Sequence, residues 1–345
     1  MPVTMLFDIK PTPGNPRNSE GDTILLADGR LLLAWTRFAG REDHARAEVR
    51  AVLSSDWGIT WGEPRVLVSP DEAQQNVMSV SLLRERVTGE LLLFYLRKNS
   101  LADLQVRVLR SSDEGASWCC GRRVSTQEGY NVMNNARVVQ LESGRLLAPV
   151  AHTRDYAQAP QQVALCYLSD DGGWTWRPGR GVARLAKGAT GCQEPGLVPL
   201  RGGPLLMYIR TDLDCVYAAL SGDDGETWRE PAPLRDLPAP AAPATMARLP
   251  TGRLIALYNH RPEGARAGWE GRTPLAAACS EDDGRTWRRL EDIESSADYA
   301  YGYASIRLYG ERVVLTYYVW PRSAPAGFEQ TTLRFRLVPL SRFTL

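Results

Sequence analysis

Residues 280–287 read Ser-Glu-Asp-Asp-Gly-Arg-Thr-Trp, and the same frame, Ser-x-Asp-x-Gly-x-x-Trp, occurs four more times. The other copies are Ser54–Trp61, Ser111–Trp118, Ser169–Trp176 and Ser221–Trp228. Their tryptophans, at 61, 118, 176, 228 and 287, recur every 52 to 59 residues. One copy would carry little weight. Five at a nearly constant period mark a repeat architecture. The frame reads as a hairpin turn. Its Asp can accept hydrogen bonds from the turn's own backbone N–H groups. Its Gly supplies a positive φ. Its Trp offers a large apolar surface to a neighbouring repeat. The aspartates 56, 113, 171, 223 and 282 are therefore read as structural.

A second repeat lies between the boxes: an apolar strand, a tight turn and another apolar strand. It occurs six times, at 23–35, 80–96, 137–150, 196–209, 246–258 and 305–318. Asp-Gly, Thr-Gly, Ser-Gly and Gly-Gly pairs at the turns are hairpin signals. Each unit then reads strand, turn, strand, loop, strand, box, strand. Six such units of four antiparallel strands predict an all-β fold, a six-bladed β-propeller carrying five boxes. The sixth unit has no box, and its third strand is expected at 331–340. An unpaired edge there would be a liability, so residues 3–9 are expected to supply its outer strand. The whole of 1–345 is thus read as one domain.

Composition narrows the partners. The chain has 345 residues with 41 basic and 40 acidic side chains. That balance makes no case for nucleic acid or an anionic membrane surface. No apolar run approaches the roughly 18 residues of a membrane span. The start, MPVTMLFDIKPTPG, lacks a basic segment followed by an apolar stretch, so no signal peptide and a cytoplasmic location are expected. The six cysteines, 119, 120, 166, 192, 215 and 279, show no CxxC or metal-ligand spacing and are read as free thiols.

Strand alternation puts the short turns and the boxes at one end of the fold. The loops between second and third strands, and the starts of the first strands, lie at the other, where function is usually housed. All three histidines, His44, His152 and His260, fall in those loops with many arginines. Such a ring around an axial pocket suits a polar, anionic ligand. The histidines come from alternate units, so no metal site is expected.

With these residues in hand, the chain resembles the sialidase superfamily of BNR-repeat, Asp-box glycosidases over nearly its whole length. Boxes of this kind also occur in propellers that are not enzymes, so fold and function are separate questions. The resemblance implies a tyrosine nucleophile paired with a glutamate, an aspartate acid/base, and three arginines that hold a sugar carboxylate. It implies no cofactor. Glu194, in CQEPGLVPL, stands at the family's glutamate. There it would take the proton of a phenol whose ordinary pKa near 10 makes it a poor nucleophile. Arg210 and Arg272 match the second and third arginines, each able to grip a carboxylate bidentately. Tyr303, in YGYASIRL, matches the nucleophile, with Tyr301 two residues away and on the same strand face as the alternative.

Asp43 falls in the acid/base loop between Glu42 and His44, and His44 is counted among the sugar-binding candidates. As an acid, Asp43 would have to hold its proton near neutral pH. The family's first arginine leads into the first strand. Aligned on the Asp-Gly turn, Ser19 occupies that place, with Arg17 shifted and the acidic Glu20 and Asp22 beside it. Arg37, at the end of the second strand, is a further candidate. The expected function is a sialidase-like exo-glycosidase of retaining type. The alternatives are a propeller glycosidase acting on another sugar and a non-catalytic propeller that binds glycans or protein.

Overall fold

The computed structural model describes residues 4–261, 271–324 and 329–343. Parts of the expected loops 259–274 and 320–330 lie outside these residues. The described chain is all β, with 3-10 conformation at Gly271 and in the terminal turn Leu340–Phe343.

Six antiparallel meanders follow one another. Unit one runs Arg17–Leu25, Leu31–Phe38, Ala47–Ser54 and Arg65–Val68. Unit two runs Asn76–Arg84, Leu91–Ser100, Asp103–Ser111 and Cys119–Arg123. Unit three opens with the two-residue strand Val139–Gln140 and continues through Leu146–Thr153, Val163–Ser169 and Arg177–Pro178. Strand Tyr130–Val132 joins units two and three into one nine-stranded sheet, parallel to Asp103–Ser111 and antiparallel to Leu146–Thr153. Unit four runs Gln193–Pro199, Leu205–Arg210, Cys215–Ser221 and Ala232–Pro238. Unit five runs Thr245–Arg248, Leu254–Asn259, Leu275–Ser280 and Arg288–Glu294. Unit six runs Tyr299–Tyr309, Arg312–Pro321 and Thr332–Pro339, and the N-terminal strand Met5–Ile9 pairs antiparallel along the last of these.

Burial falls from the second strand to the fourth. Leu254–Asn259 is buried throughout, whereas Cys119–Arg123 is almost fully exposed. A strand covered on both faces reads as a continuous apolar run, which explains LLLAWTRF, LLLFYLRK and LIALYN. The first strands of units one and two, four and five, five and six, and six and one touch each other. Units six and one are also joined by Arg307 holding Asp22, by the Tyr309 hydroxyl donating to the Thr23 carbonyl, and by Thr316 donating to that of Gly21.

The boxes share one hydrogen-bond scheme. In the first, the Ser54 hydroxyl donates to Asp56 at 2.8 Å and accepts from Gly58 N at 2.7 Å. Asp56 then accepts from the N–H and the hydroxyl of Thr60. Ser117, Thr175, Thr227 and Thr286 repeat that last contact at their own boxes. The hydroxyl two places after the glycine is thus part of the motif, although the frame read from sequence left it open. At Gly58 the φ is 90°, and a Cβ would stand 2.5 Å from the Phe335 ring of unit six. Backbone conformation and packing on the next unit both demand glycine there.

Candidate active site

At the opposite end, the first strands share a second device. The pairing of first with second strand breaks between Ser19 and Asp22, Met78 and Ser81, Gln193 and Gly196, and Gly302 and Ser305. Inside each break one residue has a positive φ: Glu20 at 57°, Ser79 at 57°, Glu194 at 41° and Tyr303 at 55°. Ala136, at 56°, stands just before the first strand of unit three. A bulge re-aims a side chain that a regular pleat would direct elsewhere. Glu20, Ser79, Glu194 and Tyr303 all line one cavity of about 470 Å³. A larger hollow, about 880 Å³, lies on the flank of unit six, where Arg334 is paired with Asp8 and Glu294.

The Tyr303 hydroxyl donates to Glu194 Oε1 at 2.6 Å, and Arg210 donates to Glu194 Oε2 at 2.7 Å. Burial works to raise Glu194, but Arg210 and the tyrosine hydroxyl outweigh it and hold the carboxyl below its usual range. Burial and then the charge of Glu194 push Tyr303 well above an ordinary phenol. Tyrosine therefore stays protonated at rest, with an ionised proton acceptor already in contact. Arg272 lies 5.7 Å over the Tyr303 ring and is fixed by donating to the Tyr318 hydroxyl and the Ala241 carbonyl. Asn135 ties this floor together, donating to the carbonyls of both Gly21 and Tyr303.

The opposite wall belongs to unit one. Arg17 is buried and donates to Asp43 Oδ1 at 2.5 Å, to Glu20 at 3.3 Å and to Ser19 Oγ at 3.2 Å. The bulge at Glu20 takes up the offset that the alignment on the turn could not place. Arg17, not Ser19, is the residue delivered to the loop that carries Asp43. Glu20 Oε2 accepts from both the N–H and the hydroxyl of Ser79 at 3.0 Å. Burial raises its carboxyl, with Arg17 pulling the other way. Asp22 is not in the cavity; it is fully buried against Arg307.

Three expectations change. Arg37 pairs with Glu48 at 3.3 Å and lines a separate depression with Arg46 and Pro70, because it projects from the other side of its strand. Tyr301 does not share a face with Tyr303. The bulge at Gly302–Ser305 breaks the alternation, so Tyr301 packs on Tyr317 with ring centroids 6.5 Å apart. Asp43, expected to hold a proton, is ionised in the free protein. Desolvation works to raise it, but the charge and hydrogen bond of Arg17 outweigh this and hold it below its usual range.

His44 lines the cavity, and burial lowers it from its ordinary value. Two contributors were missed in the sequence. Glu20 was noted only as an acidic neighbour of Arg17, although its place in the repeat equals those of Glu194 and Tyr303. Lys98 is fully buried in the cavity wall; it donates to the Asp43 carbonyl at 3.3 Å and is lowered by burial to about 8. Met78, Leu96, Leu104, Tyr130 and Val132 give the cavity an apolar part, with the Lys98 ammonium 5.5 Å over the Tyr130 ring. Tyr156 stacks on Tyr130, with centroids 5.0 Å apart. No group of three or more His, Cys, Asp or Glu among the described residues could hold a metal.

The BNR repeat-like domain model matches residues 29–313. The chain belongs to the BNR repeat-like family. Among curated proteins, this family member is 26% identical over 292 residues to a sialidase of Micromonospora viridifaciens, covering 75% of its own length and 43% of that protein. It is 27% identical over 246 residues to human sialidase-4, covering 62% of its own length and 50% of that protein. It spans from 16% to 60% of the curated relatives it matches. Among solved structures it resembles Trypanosoma rangeli sialidase in complex with sialic acid, with a TM-score of 0.76 at 14% identity, covering all of this chain and 60% of that one. The BNR member therefore has the propeller-like fold of sialidases.

Proposed function

We propose that the six meanders close into one six-bladed propeller with five Asp-box turns, and that its axial cavity is the active site of a sialidase-like exo-glycosidase. The observation that carries the activity is the Tyr303–Glu194 hydrogen bond of 2.6 Å at the cavity floor. A phenol in contact with a buried carboxylate is an activated nucleophile in waiting. Tyr303 attacks the anomeric carbon while Glu194 accepts its proton. Asp43 protonates the leaving oxygen, and the leaving group departs. Asp43 then takes a proton from the water that attacks the glycosyl-tyrosine, and Glu194 returns its proton to Tyr303. Two displacements retain configuration. A tyrosine nucleophile sets this apart from the usual pair of carboxylates.

Asp43 must gain a proton before it can act. An anionic sugar entering at Arg17 competes for that guanidinium and places a negative charge beside Asp43. Both changes raise the carboxyl. Arg210, Arg272 and Arg17 orient the anionic group, His44 stands at the rim, and the apolar part with Met78 and Tyr130 meets the apolar face of the sugar.

A second reading has its own support. Glu20 and Asp43 both spend the charge of Arg17, which favours a sugar without a carboxylate. Aryl glycosides with and without a carboxylate separate the two. Release from aryl sialosides, with NMR showing the retained anomer forming first, is the expected result. Cleavage of uncarboxylated sugars only would select the second reading. Tight binding with no turnover of any glycoside would leave a glycan-binding propeller and overturn both.

A further inference from the structure

Cys119 and Cys120 are consecutive residues in the outer strand of unit two, which among the described residues pairs only with Asp103–Ser111. In a regular strand, neighbouring side chains point to opposite faces, which would hold two adjacent thiols apart. Here the pairing slips. Val108 faces Arg122 and Arg110 faces Cys119, so Cys120 and Gly121 share the place opposite Leu109. Cys120 sits at a φ of 56°. The bulge turns both side chains to one side, with the sulfurs 2.9 Å apart and both residues exposed. Cys166, Cys192 and Cys279 are buried and Cys215 is half-buried. Neither exposed thiol lines the cavity, so the proposed glycosidase chemistry leaves the pair unused.

We propose that Cys119 and Cys120 form a self-resolving dithiol, a modification site that a low-molecular-weight disulfide converts into a vicinal disulfide. One thiolate attacks a sulfur of the oxidant, whose S–S bond breaks, and the departing thiolate takes up a proton. The neighbouring cysteine, as thiolate, attacks the mixed-disulfide sulfur on the protein and expels the second thiol in the same way. The two cysteines lose two electrons and two protons, the oxidant is reduced to two thiols, and an eight-membered ring closes. The second step is favoured because its nucleophile is already in contact with the sulfur it attacks, an intramolecular advantage no second protein molecule can match. The pair thereby also removes the risk that an exposed cysteine on an edge strand links two copies.

The test uses the whole chain and glutathione disulfide, followed by alkylation, denaturation and trypsin. The peptide Ser111–Arg122 holds both cysteines. It is expected to become lighter by two hydrogens, to resist alkylation, and to regain two alkyl groups after reduction. Cys120→Ser is expected to stop at the first step and keep a glutathione adduct on Cys119. A stable adduct on the unaltered chain, or disulfide-linked pairs of chains, would overturn the proposal. So would a peptide still alkylated twice under conditions that modify a free model thiol, whether or not Cys120→Ser reacts.

Discussion

The two ends of the molecule repeat in different ways. At one end, five turns have the same backbone and the same side chains: Ser, Asp, Gly, a hydroxyl residue and Trp. At the other, five left-handed residues share a backbone conformation and carry four kinds of side chain: Glu20, Ser79, Ala136, Glu194 and Tyr303. Unit five has neither a left-handed residue nor a slip in its first strand. Where geometry and chemistry repeat together, the residue serves the turn. Where geometry repeats and chemistry diverges, the repeat is a mount, on which five units place a carboxylate, a hydroxyl, a methyl group or a phenol.

Exchanging residues at the two ends puts this contrast at risk. The largest effect is expected at the mounts of units four and six. Tyr303→Phe and Glu194→Gln should each lower kcat by about 10³-fold or more while leaving the far-UV spectrum near that of the parent. Normal turnover in both would break the comparison at its centre. The pH profile bears on the same pair. Glu194 is depressed, so its base form is present above its ordinary range and is lost as pH falls through its lowered value; the acid limb should flatten in Glu194→Gln. Its contribution to stability follows the same sign, present at neutral pH and lost in acid.

The next effect belongs to unit one. Arg17→Met should raise KM for a carboxylated sugar by about 10- to 100-fold with a much smaller change for an uncarboxylated one. Equal losses on both would make Arg17 a support for the Asp43 loop and no more. Lys98 sharpens the point on the alkaline side. Lowered by burial to about 8, it loses its proton as pH rises through that value and loosens its hold on the Asp43 carbonyl. Activity should decline there, and Lys98→Arg, which stays charged, should move the decline upward.

At the box end the readout should be stability alone. Asp171→Ala removes the acceptor for Thr175, Trp174 and Ser169 and should cost about 1–2 kcal/mol, seen as a lower Tm with kcat unchanged. The smallest effect is expected at the mount that carries only a methyl group. Ala136→Gly relieves a left-handed alanine but adds backbone freedom to the unfolded chain, so stability should shift by less than about 1 kcal/mol and activity not at all. A large loss of activity there would mean that the backbone, and not the side chain, carries the function.

The fold was legible because its signals are local. A box is closed by hydrogen bonds within seven residues, so its sequence is its structure, and five copies give the period. The second strands announce themselves as apolar runs for an equally simple reason, burial on both faces. Glu194, Arg210, Arg272 and Tyr303 were readable only through likeness to a family, since nothing within a few residues of Tyr303 distinguishes it from Tyr301. The slip at Gly302–Ser305 distinguishes them, and it sends one tyrosine into the cavity and the other against Tyr317.

What the sequence alone determined is the repeat of strand, turn, strand, loop, strand and box, and the structural role of the boxes; the strand Tyr130–Val132 that joins units two and three was not in it. Tertiary structure decided which side chains meet. It moved Arg17 onto Asp43 across 26 residues and set Tyr303 on Glu194 across 109. It also removed Arg37 from the site and revealed Glu20 and Lys98 within it. The physical reason is the reach of the interactions: a turn is held by its neighbours in the chain, whereas a site assembled from several units exists only once bulged first strands are packed side by side.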